Sequence, residues 1–158
     1  MLWAEEDLAR RRLVSSDQIA ANKRAIDGFN QARNDAIEKI DDILLAEFVE
    51  CVGVGRLNSE TPGSMIDRLS ISSLKFFHMN LQVLRVDVDD QHRVNCAAKA
   101  KRIAEQRQDL LTCLLALLAE CREGKSHFKT YRQFKMYNDP SLNMALVQEL
   151  QGLNSAKR

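Results

Sequence analysis

Proline occurs only twice in this chain of 158 residues, and both prolines stand where a helix could begin. Thr61-Pro62 and Asp139-Pro140 each set a capping side chain before a proline at the first helical position, where the missing N–H costs nothing. The long stretches between them lack the residue that most strongly breaks helices, and no run of alternating β-branched residues marks a strand. The chain is therefore expected to be all-α, with no sheet. Apolar spacing predicts helices from about Leu2 to Leu13, Gln18 to Val52, Pro62 to Val86, Gln91 to Glu123 and Pro140 to Leu150. Three of these are long, and the second spans ~35 residues or ~50 Å, which suggests an elongated bundle, a subunit interface or a kink near Gly28. Short connections between long helices imply an elongated antiparallel bundle of about five helices, one domain over 1–158. Leu110 to Leu118 is apolar nearly all round and is expected at its centre.

The totals exclude some functions. With 23 basic and 22 acidic residues, the net charge of +1 gives no global attraction for nucleic acid or a membrane surface. The longest apolar run falls far short of the ~20 residues a membrane span needs. Met1-Leu2-Trp3 leads straight into Ala4-Glu5-Glu6-Asp7, which does not resemble a signal peptide, so a cytoplasmic location is expected. Cys51, Cys96, Cys113 and Cys121 have no metal-binding spacing and are expected as buried reduced thiols. His78, His92 and His127 are scattered, so no metal site is predicted. No phosphate-binding glycine loop or nucleophile elbow is present. Glu38-x-x-Asp41 and Glu47-x-x-Glu50 hint at the Mg²⁺-holding acids of helical pyrophosphatases, but in the wrong order.

Polar residues fall where a packing helix would not need them. At 100° per residue, Lys23, Asp27, Asn30, Asn34 and Asp41 lie beside the apolar stripe of the second helix, with Asn22 and Arg33 on the stripe itself. Asp and Asn are poor helix formers, so their number here asks for a purpose. On the third helix Ser64, Asp67, His78, Gln82 and Arg85 share a face, with Lys75 at its edge. On the fourth, Arg102, Gln106 and Asp109 share a face, and Arg107 lines up with Ile103, Leu110, Leu114 and Leu117. Arginine on a core stripe must be paired, because an unpaired buried charge costs several kcal/mol. Two readings follow: an internal ion-pair network that fixes helix register, or a polar pocket between helices. Residues 125–138 interleave Lys125, Lys129, Arg132 and Lys135 with Phe128, Tyr131, Phe134 and Tyr137. That segment is either a lid with snorkelling lysines or a contact for phosphate and a ring.

The stretches "LWAEEDLARR", "NKRAIDGFNQARNDAIEKID", "NSETPGSMIDRLSISSLKFFHM", "EQRQDLL" and "YRQFKMYNDPSLN" together resemble a bacterial family known as domain of unknown function 4254. The resemblance runs from Leu2 to Asn143. It implies a small bacterial cytosolic helical protein, with a hint of sugar-phosphate or nucleotide-sugar chemistry. Family members carry a short lead-in before the tryptophan, so a further N-terminal turn is an expectation. The residues then point to a small anionic ligand in a polar inter-helix pocket, without nucleic acid or membrane. Lys23, Asn30, Arg33, Asn34, Arg68, Lys75, His78, Arg107, Arg132, Lys135 and Tyr137 are the candidate contacts. Asp27, Asp67 and Asp109 are the candidate catalytic groups, acting on a hydroxyl or on Mg²⁺, with no other cofactor expected. The alternative is a non-catalytic adaptor or homodimer with the long second helix at its interface.

Overall fold

A computed structural model describes residues 1–48, 53–132, 136 and 139–155, with side chains as far as 152. The described residues form five helices: α1 (Leu2–Leu8), α2 (Ser16–Glu47), α3 (Pro62–Val83), α4 (Asp90–Arg122) and α5 (Met144–Ser155). Most helix starts follow from the local sequence. Ser15 and Gln18 form a reciprocal capping box on α2. Thr61 accepts from the Ser64 amide at 3.2 Å, with Pro62 in the first turn of α3. Asp89 accepts from the His92 amide at 2.6 Å and starts α4.

α3 lies antiparallel to both α2 and α4 and packs on each. The join to α2 is made by a buried carboxylate. Asp41, only 3% exposed, accepts from the Gly63 amide at 2.6 Å, in the first turn of α3. A free amide at a helix N-terminus and an anion suit each other, because the helix dipole is positive there. The approach is so close that a Cβ on Gly63 would lie 2.6 Å from the Ile37 carbonyl oxygen and 2.7 Å from Asp41 Oδ1. The largest apolar core sits at this end, where Phe48, Met65, Leu114, Leu117, Cys121 and Phe128 meet.

Several expectations are corrected. A two-residue parallel pair does exist: β1 (Arg56–Leu57) beside β2 (Ser126–His127). It is made possible by Gly55 at φ +73°, where a Cβ would stand 2.3 Å from the Lys125 carbonyl. α1 stops at Leu8 rather than Leu13, because Arg11 Nε donates to the Leu8 carbonyl at 3.0 Å and caps the helix end. α2 ends at Glu47 rather than Val52, and runs unbroken through Gly28; residues 49–52 lie outside the described part. Pro140 does not open α5. Asp139 Oδ1 accepts from the Ser141 amide and hydroxyl at 2.8 and 2.7 Å, closing a turn. Asn143 then accepts from the Ala145 amide at 3.0 Å and starts the helix at Met144. Leu110–Leu118 is only half covered, since Leu111 and Leu115 are exposed. Cys96 and Cys121 are buried as expected, but Cys113 is exposed.

The turn from α3 to α4 carries Arg85, whose guanidinium is 2.9 and 2.6 Å from the two Asp87 carboxylate oxygens. That hydrogen-bonded pair lowers the Asp87 carboxyl from its ordinary 3.8 to about 2.

Two predictions follow. Gly63→Ala should lower the melting temperature by several degrees, because backbone and carboxylate must both shift. Gly28→Ala, in open space within α2, should instead raise stability by ~0.5–1 kcal/mol; a thermal melt showing the reverse order would contradict the Asp41 contact. In acid, a group with a depressed folded pKa stabilises the native state above the ordinary carboxylate range and loses that contribution as pH falls through its folded value. The Asp87 carboxyl, followed by NMR, should therefore stay ionised below pH 3 and titrate near 2, whereas a midpoint near 3.8 would show that the pair does not form in solution.

Candidate anion-binding groove

Because α2 and α4 lie on either side of α3, one face of α3 is left as the floor of an open groove. Between α3 and α4 is a cleft of about 620 Å³, lined by Glu60, Met65, Arg68, Ile71, Ser72 and Lys75 from the α3 side and by Gln106, Asp109, Leu110 and Cys113 from α4. A second cleft of about 540 Å³ lies towards α1 and α2 and is lined by Trp3, Glu6, Asp7, Arg10, Asn30, Arg33, Ile71 and Leu74, with Leu2. A third, of about 350 Å³, is lined by Trp3, Asp7, Lys75, His78, Met79, Gln82 and Ile103. The clefts share walls: Ile71 lines the first and second, Lys75 the first and third, Trp3 and Asp7 the second and third.

Two side-chain interactions help to seat the wall formed by α1, which packs along α2. Trp3 stacks on His78 with ring centroids 4.2 Å apart and planes within 5°. Asn22 donates to Glu5 at 2.6 Å and accepts from Arg11 at 3.3 Å. Asn22 therefore sits on the apolar stripe of α2 in order to dock α1. Sequence reasoning left Trp3 and Asp7 out of the site, although their i, i+4 spacing puts them on one face of α1.

The groove's cations are not equally satisfied. Arg68 is ion-paired with Glu60. Arg33 Nε comes to 3.5 Å from Asp67 Oδ1, yet it is shielded from solvent and has no hydrogen-bond partner. Asp67 is therefore its counter-ion, at a separation longer than an ordinary hydrogen bond. Lys75 and Asp109 line the groove with no ion pair among the described residues.

The candidates thus divide. Asn30, Arg33, Arg68, Lys75, His78 and Asp109 line the clefts, and Asp67 stands behind Arg33. Lys23 and Asp27 form an exposed i, i+4 pair at 2.8 Å. Asn34 is buried in α2 and lines none of the three clefts. Arg107 is not on the core: it is exposed, reaches Ser73 Oγ at 3.5 Å and lies 5.8 Å above the Phe76 ring. Arg132 is tied to α2, 2.9 Å from Glu38 and 2.8 Å from Asp42, and these carboxylates hold its pKa above the ordinary value, Asp42 first. Lys135 and Tyr137 lie outside the described residues, as does Glu50. No group of three or more metal-ligating side chains occurs among the described residues; Asp41 is committed to Gly63 and Glu38 to Arg132.

These features define an all-α protein organised around a groove of mixed charge between helices. The chain belongs to the family described as "Protein of unknown function (DUF4254)", whose family model matches residues 1–130. The match ends short of Asn143 but contains α1 to α4 and every groove residue named above. No curated protein and no solved structure matches the chain.

Trp3 is the only tryptophan, so its emission reports on the α1 contact alone. His78→Ala should expose one indole face to water and move the emission to the red. An unchanged maximum in that variant would mean that the stack does not seat α1.

Proposed function

We propose that this protein, in the bacterial cytoplasm, binds a small anionic ligand of the sugar-phosphate or nucleotide type in the groove over α3. The reading rests chiefly on Lys75, which lines two of the clefts with no ion pair among the described residues, and on Arg33, which lines the second cleft with Asp67 behind it. Both are suited to phosphate or carboxylate oxygens. Arg68 would join them by exchanging Glu60 for the ligand. Asn30, Gln106 and Gln82 offer amides to hydroxyl groups, and the Trp3–His78 pair offers ring surface. A cleft of about 620 Å³ falls within the range of small-molecule sites, roughly 300–1,000 Å³. Asp109, a candidate carboxylate lining the groove with no ion pair among the described residues, would accept a proton from a bound hydroxyl or face a Mg²⁺ that accompanies the phosphate.

A second reading, a non-catalytic adaptor, is supported by a different observation. Arg33, Arg68 and Arg132 each face a carboxylate across elements or turns, as a register-fixing network would require.

A thermal-shift panel of nucleotides, nucleotide sugars, sugar phosphates and dicarboxylates, with and without Mg²⁺, separates the two. A ligand at 100 times its dissociation constant adds ~2.7 kcal/mol, several degrees for a domain of this size. The expected result is a shift with a phosphorylated ligand that Lys75→Ala abolishes while leaving the unliganded melt unchanged. A flat panel on folded protein, with Arg33→Ala and Arg68→Ala lowering the melt, supports the adaptor.

A further inference from the structure

The groove over α3 does not stop at the cleft that Arg68 and Lys75 line. A fourth cleft, of about 330 Å³, continues it past the start of α3 and shares Glu60, Met65 and Cys113 with the first. On α4 the two together follow one strip of the helix, from Gln106 through Asp109, Cys113 and Ala116 to Glu120. That strip is roughly 21 Å long at 1.5 Å per residue. Its two ends differ in chemistry. The first cleft carries the cations Arg68 and Lys75. The added cleft carries two carboxylates, Glu60 and Glu120, with the Arg56 guanidinium and the Asn58 amide. Asn58 donates to the Glu60 carbonyl at 2.7 Å. Both bonds that Glu120 accepts, from Arg56 and from Ser126, go to Oε2, and Oε1 accepts none among the described residues. A second phosphate would meet two carboxylates here and be repelled. A hydroxyl both donates and accepts, and suits such a mixed set. Met65, Ala116 and Leu117 give the cleft an apolar side, and no aromatic ring among the described residues lines it, so a nucleobase would find nothing to stack on.

We infer that this cleft is the hydroxyl-binding half of the groove, and that the ligand is a sugar phosphate, with its phosphate on Arg68 and Lys75 and its hydroxyls among Glu60, Glu120 and Asn58. The inference rests on the anion-binding reading of the groove and narrows it from sugar phosphate or nucleotide to the first. Glu60 joins the two halves, since it lines both clefts and is ion-paired with Arg68. A phosphate that takes its place on Arg68 frees the Glu60 carboxylate beside the added cleft, where a sugar hydroxyl can donate to it. The broken ion pair is then replaced on both sides, the guanidinium by phosphate and the carboxylate by a hydroxyl. Inorganic phosphate replaces it on one side only, and should bind more weakly than a sugar phosphate of similar charge.

Two measurements on the full chain test this. The first is titration calorimetry with a panel of free hexose and pentose phosphates, with adenosine 5′-monophosphate and with inorganic phosphate. The tightest sugar phosphate is expected to bind at least tenfold more strongly than either of the other two. Ala116→Phe sets a ring in the added cleft at an exposed position and removes no polar group. It should abolish the sugar phosphate's advantage and leave the affinity for inorganic phosphate unchanged. The second measurement needs no variant. Cys113 is exposed where the two clefts meet, so iodoacetamide should alkylate it, and the saturating sugar phosphate should slow that reaction at least tenfold, read by mass spectrometry in the peptide that contains Cys113. Where a phosphate compound does bind, four results overturn the inference and leave the groove reading standing: no preference for a sugar phosphate over inorganic phosphate, tighter binding of the nucleotide, a folded Ala116→Phe variant that keeps the preference, or an unprotected Cys113. Failure of every phosphate compound to bind overturns both.

Discussion

The Asp41 carboxylate at the start of α3 is the contact on which the arrangement of the long helices depends. It is buried and charged, and the Gly63 amide meets it at 2.6 Å. A carboxylate in that position is expensive to leave unpaired, so α2 and α3 cannot slide past one another by a turn without stranding it. The pairing sets the antiparallel register for everything that follows along α2. Two turns back from Asp41, Arg33 comes opposite Asp67; a further turn back, Asn30 shares a cleft with Ile71. Gly63 is the residue that permits this, because any side chain there would press on the Ile37 carbonyl and on Asp41 itself. The groove's α2 wall is thus a consequence of a capping interaction at the other end of the helix pair.

The two ends of the molecule are held by different means. At the Asp41 end, the last turns of α2, the first of α3 and the last of α4 bury Phe48, Met65, Leu114, Leu117, Cys121 and Phe128 in one cluster. β1 and β2 and the Glu120 carboxylate, which accepts from Ser126 and Arg56, close that end. Those hydrogen bonds, Ser126 first, hold the Glu120 carboxyl below its ordinary value. At the other end there is no such cluster among the described residues. The short α1 is wedged against α2 and α3 by a ring stack and an amide.

Much of this was legible in the sequence, for reasons that differ from residue to residue. Thr61-Pro62 marks a helix start by chemistry that acts within a few residues, and the structure uses it. Asp139-Pro140 carries the same signal, but the Asp139 side chain bonds to Ser141 and makes a turn instead, a competition that spacing alone does not decide. Helical arithmetic placed Arg33 and Arg107 alike on core stripes. It gives the face of a helix but not what covers that face. α3 covers Arg33, whereas Arg107 reaches the margin of α3 and lies over Phe76 in solvent. The β1–β2 pair could not be read, since it consists of two residues each and depends on Gly55 meeting Lys125 seventy residues away.

α3 is packed along one side by α4 and along another by α1 and α2, which leaves it two free faces. One carries Arg68, Ser72 and Lys75 and faces the groove; the other carries Phe77, Leu81 and Leu84. Lys75 and Phe77 are about 200° apart on the helix, so the polar and apolar faces do not compete for space. The faces meet at one point, where Phe77 stands edge-on to His78 with ring centroids 5.3 Å apart. The two surfaces are also rigidly linked, because a helix of this length transmits a tilt or rotation from one face to the other.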